Sequence, residues 1–217
     1  MSNNFAFTSV LATDDYLGGA LGLYYSLQMA KSKYPFHLLV TDNVSREVRN
    51  KLDEIGVLYS IVPLINFIDG TGRYEVTFNK FHIFSLKQYD KVCFIDCDAI
   101  LKENIDDIFS FEAPGFPILD EVFLSGVIIL MNPCSKNVDD FLEYKSNPED
   151  ESVWNTIYKA DGVSDLFSYF GKIFHFSSCG EDSSKKYWRF YSLNELEPLI
   201  NFMYSNEDFS KIESLYY

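Results

Sequence analysis

Apolar runs alternate with amphipathic stretches along the first third of the chain. Phe5 to Ala12 reads as a strand, and Thr13-Asp14-Asp15-Tyr16 follows it. Asp14 or Asp15 suits the N-cap of a helix running from about Leu17 to Lys33, with Leu21, Tyr24, Tyr25 and Leu27-Gln28 at helical spacing. Pro35 ends that helix, and Phe36 to Thr41 is a second strand. Ser45 to Ile55 is a second helix with Val48, Leu52 and Ile55 on one stripe and Gly56 as its stop, and Val57 to Val62 is a third strand. Strand, helix, strand, helix, strand predicts a doubly wound, mainly parallel sheet with helices on both faces.

The pattern then changes. Ile68-Asp69-Gly70-Thr71-Gly72-Arg73 is a glycine-rich loop, and Thr77 to Leu86 a helix dense in Phe. Val92-Cys93-Phe94-Ile95 is an apolar run that stops at Asp96-Cys97-Asp98. It predicts a strand buried on both faces, ending in acids at the edge where open α/β sheets bind ligands. On an extended backbone two residues two apart leave the same face, so the carboxylates of Asp96 and Asp98 would converge. Converging carboxylates repel unless a cation sits between them or one keeps its proton, and paired oxygen ligands suit Mg²⁺ or Mn²⁺; a solvated acidic turn would carry the same residues.

Beyond that, Ile105 to Phe109 reads as a helical turn, Pro114 to Pro117 as a loop, and Ile118-Leu119 and Gly126 to Met131 as strands flanking Asp120 and Glu121. Val138 to Tyr144 and Ser152 to Tyr158 are helices separated by Asn147 to Glu151, and Lys172 to Phe176 is a last short strand. Ser192-Leu193-Asn194-Glu195 has the capping-box form and opens a helix to about Tyr204. No repeat, low-complexity tract or linker divides the 217 residues, so a single α/β domain is expected.

Composition narrows the partners. Aromatics are 17% of the chain, with 20 Phe and 15 Tyr, which predicts a thick aromatic core or stacking surfaces and excludes a disordered chain. A net charge of −14 argues against nucleic acid and against an anionic membrane surface. Cys93, Cys97, Cys134 and Cys179 lack Cys-x-x-Cys spacing and read as reduced thiols in a reducing compartment. Met1 to Val10 has no basic residue and no long apolar region, and no run approaches the length of a membrane helix. A soluble, cytoplasmic protein is the expectation.

Several side chains could carry chemistry. Thr13, Asp14 and Tyr16 offer hydrogen bonds and a ring to a nucleobase and ribose, or else a helix cap with a packed tyrosine. Lys80 on its aromatic helix could reach a phosphate or snorkel at the surface. His175, among aromatics, is a metal ligand or a satisfied core histidine. Lys185, Lys186 and Arg189 with Tyr187 and Trp188 form a basic, aromatic cluster suited to a pyrophosphate, or a solvated turn. There is no P-loop and no dinucleotide fingerprint.

The order of these segments resembles the glycogenin-like members of glycosyltransferase family 8. Leu11-Ala12-Thr13-Asp14-Asp15-Tyr16 with Gly19-Ala20-Leu21 is similar to their nucleotide-binding first loop, one residue short before Tyr16. Val76 to His82 resembles the helix whose lysine meets the donor, Phe94 to Asp98 their metal-binding Asp-x-Asp, and Asn104 to Phe109 the motif that follows it. Phe123-Leu124-Ser125-Gly126-Val127 resembles their Asn-Ser-Gly-Val, Asp150-Glu151-Ser152 their Asp-Gln-Gly, and Lys186-Tyr187-Trp188 their Lys-Pro-Trp. His175-Phe176 matches the histidine that completes their metal site. The resemblance spans roughly residues 5 to 190.

That resemblance implies a GT-A fold, with about 1–100 as the nucleotide-binding half and about 101–217 as the acceptor half of one domain. It implies Asp96, Asp98 and His175 as ligands of Mn²⁺ (or Mg²⁺), and a UDP-sugar held by Leu11, Thr13, Asp14, Tyr16, Arg73, Lys80, Asp96, Cys97, Ser125 and Lys186. Asp150 and Glu151 become the catalytic candidates beside the anomeric carbon. The implied reaction is retaining transfer of a hexose or deoxyhexose to a glycan or glycoprotein hydroxyl, with a homodimer as a further implication. Departures fall on the sugar side: Leu124 replaces an Asn, Glu151 a Gln and Ser152 a Gly. The region of the family's self-glucosylated tyrosine is shortened, leaving Tyr169 as its positional counterpart. Two other readings of the same residues are a sugar-nucleotide or glycan binder that has lost turnover, and a haloacid-dehalogenase-like phosphatase.

Overall fold

The computed structural model describes residues 4–65, 76–142, 150–176 and 186–211. β1 (Phe5–Leu11), β2 (Phe36–Thr41) and β3 (Leu58–Val62) run parallel, with β4 (Lys91–Ile95) parallel to β1 on its other side. β9 (Ile128–Met131) pairs antiparallel with β4, β6 (Gly115–Phe116) antiparallel with β9, and β10 (Ser164–Asp165) parallel with β6. The order β10-β6-β9-β4-β1-β2-β3 is a mixed, mainly parallel sheet of seven strands among the described residues. The expected α/β class holds.

Both faces of this sheet are covered, as the apolar runs require. Phe5, Phe7 and Leu11 of β1 and Cys93 and Ile95 of β4 point into one core layer, with α1 (Leu17–Met29) and α5 (Leu193–Asn206) above them. Ala6, Val10, Val92 and Phe94 point into the other, filled by Phe78, Phe81, Phe84, Phe141 and Trp154. Phe81 and Phe84 stack on Phe141 at 4.3 and 4.9 Å between ring centroids, so the aromatic excess is core. α3 (Asp139–Leu142) carries Phe141, and α4 (Asp150–Ile157) carries Trp154.

α2 (Arg46–Ile55) starts one residue later than expected, because Ser45 is its cap and the hydroxyl accepts from Val48 N–H, and it ends at Gly56 with φ +82° as the pattern predicts. Other expectations need correction. Neither Asp14 nor Asp15 caps α1: residues Asp14–Tyr16 form a 3₁₀ turn, and the Asp14 carboxylate accepts from Ser45 N–H instead. α1 stops at Met29 rather than near Lys33, because Lys31 turns left-handed at φ +55°. Its buried residues, Leu17 to Leu23 and Tyr25 to Leu27, lie all round the helix rather than on one stripe, since it is wedged between the sheet, α5 and β5 (Ala99–Leu101).

The Phe-rich segment is a 3₁₀ helix, Thr77–Ser85. The expected loop at Pro114 to Pro117 contains β6, and Ile118-Leu119 is β7, paired in a hairpin with β8 (Phe123–Leu124) across the left-handed Asp120 and Glu121. The last short strand is β11 (Ile173–His175), and it pairs antiparallel with β5, which the pattern did not reveal. α5 carries the predicted capping box, its Glu195 carboxylate accepting from Ser192 N–H and Oγ. No helix among the described residues is long and apolar enough to cross a membrane.

Candidate metal centre and donor cleft

β4 ends at Ile95, one residue before the acids. Asp96 O accepts from Ala99 N–H at 3.0 Å, so Asp96 to Ala99 is a tight turn. The two carboxylates therefore converge through a turn, not through the pleat of a strand. Asp96 N–H is held by Val127 O at 3.0 Å, and Asp98 O accepts from Phe176 N–H at 3.0 Å. That second bond extends the β5–β11 ribbon, in which His175 lies opposite Ala99. The ribbon is what carries His175 across the chain to the acids.

His175 Nε2 stands 3.3 Å from Asp96 Oδ2 and 3.2 Å from Asp98 Oδ1. Lys80 Nζ is 3.2 Å from Asp96 Oδ1, and Lys186 Nζ is 2.7 Å from Asp98 Oδ2. Burial opposes charge on His175, but hydrogen bonding and attraction from Asp96 and Asp98 raise its pKa to about 9. Burial likewise works against Asp98, which is 8% exposed, yet His175 and Lys186 hold it well below the usual carboxylate range. Burial pushes the Cys97 thiol up, with the flanking carboxylates adding to it, so Cys97 is a neutral lining group.

Asp96, Asp98 and His175 offer ligand atoms all within 4.8 Å of one another. Two carboxylates and an imidazole are a fitting donor set for a Mn²⁺-like ion, and one ion can bridge atoms at about that spacing. Beside them opens a cleft of about 200 Å³ lined by Val10, Thr13, Tyr16, Thr77, Lys80 and Phe94 together with Asp96, Cys97 and Asp98. Burial raises the Tyr16 hydroxyl to about 12, with Cys97, Asp98 and Asp96 reinforcing the shift, and the ring leans on Trp188 at 5.4 Å. Trp188 Nε1 donates to Asp15 O at 3.1 Å, tying residues 186–189 to the first loop.

Of the residues expected at the site, Thr13, Tyr16, Lys80, Asp96, Cys97 and Asp98 line this cleft, and His175 and Lys186 join it through the carboxylates. Leu11 does not line it; the side chain is fully buried in the core beneath. Asp14 does not line it and is exposed, its Oδ1 accepting from Ser45 N–H, and Ser125 is buried with its N–H on Pro117 O. Arg73 lies outside the described residues, as do Cys179 and Lys185, while Asp150 and Glu151 are described as backbone only, opening α4. Leu124 faces the core, with Asn155 bonding its N–H and C=O. Tyr169 is 2% exposed, so it is no free acceptor hydroxyl.

Sequence reasoning missed the apolar lining from Val10, Val76 and Phe94 and the carbonyls of Gly126 and Phe176 that hold the two lysines. The run Gly18-Gly19 inside a helix was the available signal for close packing there. A Cβ on Gly18 would lie 2.7 Å from Trp188 Cβ, and one on Gly19 would lie 2.5 Å from Cys97 O.

The sheet order and an acidic, histidine-completed turn at the carboxyl end of β4 define a GT-A-type glycosyltransferase fold. The galactosyltransferase LgtC, solved with donor and acceptor sugar analogs, shares it at a TM-score of 0.65 and 13% identity, covering 91% of this chain and 95% of that one. The sequence profile of glycosyl transferase family 8 matches residues 8–119, and the chain belongs to that family. Protein R707 of Acanthamoeba polyphaga mimivirus is 36% identical over 120 residues, covering 53% of this chain and 43% of that protein. Glycogenin-1 of Oryctolagus cuniculus is 27% identical over 194 residues, covering 80% of this chain and 56% of the relative. The chain thus spans about half the length of these curated relatives.

Proposed function

We propose that this protein is a metal-dependent, retaining glycosyltransferase that moves a hexose or deoxyhexose from a UDP-sugar to a hydroxyl of a glycan or protein. The observation that carries this reading is the meeting of Asp96, Asp98 and His175 at a cleft flanked by Lys80 and Lys186. In a chain of net charge −14, this pocket gathers the positive charge that a diphosphate needs. The imidazole favours Mn²⁺ over Mg²⁺, which prefers oxygen. When bound, the ion supplies positive charge against the departing diphosphate.

Each residue then has a task. Thr13 and Tyr16 grip the uridine at the end of β1, and Lys80 and Lys186 lie on the phosphate side. Asp150 and Glu151, which open α4, are the candidates to steady the oxocarbenium-like charge at the anomeric carbon. The anomeric C–O bond to the diphosphate breaks as the bond to the acceptor oxygen forms on the same face, and the acceptor's proton passes to a leaving phosphate oxygen. On this reading residues 1–100 serve the nucleotide and 101–217 the acceptor. The free thiols Cys93, Cys97 and Cys134 fit a reducing, cytoplasmic setting.

UDP with Mn²⁺ should raise the melting temperature and EDTA should remove the gain, which is about 2.7 kcal/mol of stabilisation at a hundredfold excess over Kd. A UDP effect indifferent to metal would sink the proposal. A panel of UDP-sugars should then show UDP release from at least one donor, cut about a hundredfold or more in Asp98→Asn. Donor binding with no release from any sugar would favour a non-catalytic binder.

A further inference from the structure

Each carboxylate of the metal centre divides its two oxygens. Asp96 turns Oδ2 to His175 and Oδ1 to Lys80; Asp98 turns Oδ1 to His175 and Oδ2 to Lys186. The inner oxygens, Asp96 Oδ2 and Asp98 Oδ1, thus face the imidazole, and each outer oxygen faces an ammonium group. Both lysines are anchored a second time by backbone: Lys80 Nζ donates to Gly126 O at 3.3 Å and Lys186 Nζ to Phe176 O at 2.6 Å. Their side chains are only 13% and 6% exposed, so solvent and salt screen them weakly.

We infer that Lys80 and Lys186 are built-in counter-ions of the metal centre: they orient Asp96 and Asp98, cancel their charge, and keep a free divalent ion weakly held until a diphosphate joins it. The inference rests on the donor-site reading above. Among the described residues of the centre two ammonium groups offset two carboxylates, so whatever the state of His175 this set presents no net negative charge to an incoming ion. A divalent cation there gains little attraction overall and is repelled by both lysines. A diphosphate attracts the ion and the lysines alike, which couples the binding of nucleotide to that of metal. The lysines are positioning residues in this role, acting on the ion through the carboxylates.

A purely structural role predicts the opposite sign. If the ion pairs only held the Asp96 turn and the Lys186 segment in place, deleting an ammonium group would loosen the ligands and weaken metal binding. The test is Mn²⁺ binding followed by electron paramagnetic resonance and calorimetry, with and without UDP, in the full chain. Wild type should bind Mn²⁺ at least about tenfold tighter with UDP present. Lys80→Met and Lys186→Met should each bind Mn²⁺ without UDP at least about tenfold tighter than wild type, with a smaller gain from UDP, while the Arg variants stay near wild type.

Lys186→Met should also melt lower in EDTA and regain its stability on adding Mn²⁺ alone, because it leaves a buried Asp98 charge for the ion to neutralise. Should that variant fail to fold, Lys80→Met decides the matter. Unchanged or weaker Mn²⁺ affinity in the Met variants overturns the inference, as does wild-type Mn²⁺ binding indifferent to UDP. Wild type that binds neither Mn²⁺ nor Mn²⁺ with UDP overturns the donor-site reading itself.

Discussion

At the scale of single residues, the proposed metal ion would compete with a proton for one lone pair on His175. Burial opposes the proton, but Asp96 and Asp98 outweigh it and raise the imidazole to about 9 in the ion-free protein. A metal takes the neutral imidazole, so binding must release that proton. Mn²⁺ affinity should therefore rise about tenfold per pH unit from pH 6.5 to about 8.5, a slope that calorimetry across a pH series would read and that His175→Gln should abolish. Asp98, held well below the carboxylate range, stays ionised throughout and adds nothing to the slope. The linkage to folding has the opposite sense. Because the folded value lies above the unfolded 6.5, the ion-free protein has this stabilisation in full below pH 6.5 and loses it as pH rises through 9.

At the scale of elements, the turn after β4 rests on the first turn of α1. Alanine is the better helix former than glycine by about 1 kcal/mol, so propensity alone favours Gly19→Ala. The close approach argues the reverse, since the new Cβ would meet the Cys97 carbonyl at 2.5 Å, and backbone in the tight turn between Asp96 and Asp98 cannot step aside cheaply. Gly19→Ala should lose about 1–3 kcal/mol in a urea melt and weaken Mn²⁺·UDP binding about tenfold or more. A variant with wild-type affinity would show that the turn can yield. Trp188 guards the same junction from the other side, over Gly18 and against Tyr16.

At the scale of the molecule, α1 joins two ends of the sheet. Its N-terminus meets the candidate metal centre, and its C-terminus is stapled by the segment after β5. The Asp106 carboxylate accepts from Ser32 Oγ at 2.7 Å and Lys33 N–H at 3.0 Å, and Asn104 Nδ2 donates to Ala30 O at 3.0 Å. The motif from Asn104 to Phe109, which resembles a family signature, thus has an architectural job. Asp106→Ala should lower stability by about 1–3 kcal/mol while leaving Mn²⁺·UDP affinity unchanged, because the staple sits a helix length from the cleft. A parallel fall in affinity would mean that the whole helix transmits strain to the site.

The amino-acid sequence by itself determined what depends on neighbours in the chain. The limits of β2, the Gly56 stop and the capping box at Ser192 follow from local propensity and hydrogen bonding, and the layered α/β class from their order. It also offered Asp96 and Asp98 as candidates, beside the alternative of a solvated acidic turn, and it explained their convergence by the wrong geometry. Only the tertiary structure decided what meets them. β5 is three residues long and carries no pattern of its own; it exists as a strand because β11 pairs with it, and that pairing brings His175 to the acids. The places of Lys80 and Lys186 depend likewise on Gly126 O and on Asp98, 46 and 88 residues away in sequence. Contacts between distant segments leave no periodicity to read, because their energy is gained only once the chain has closed around them.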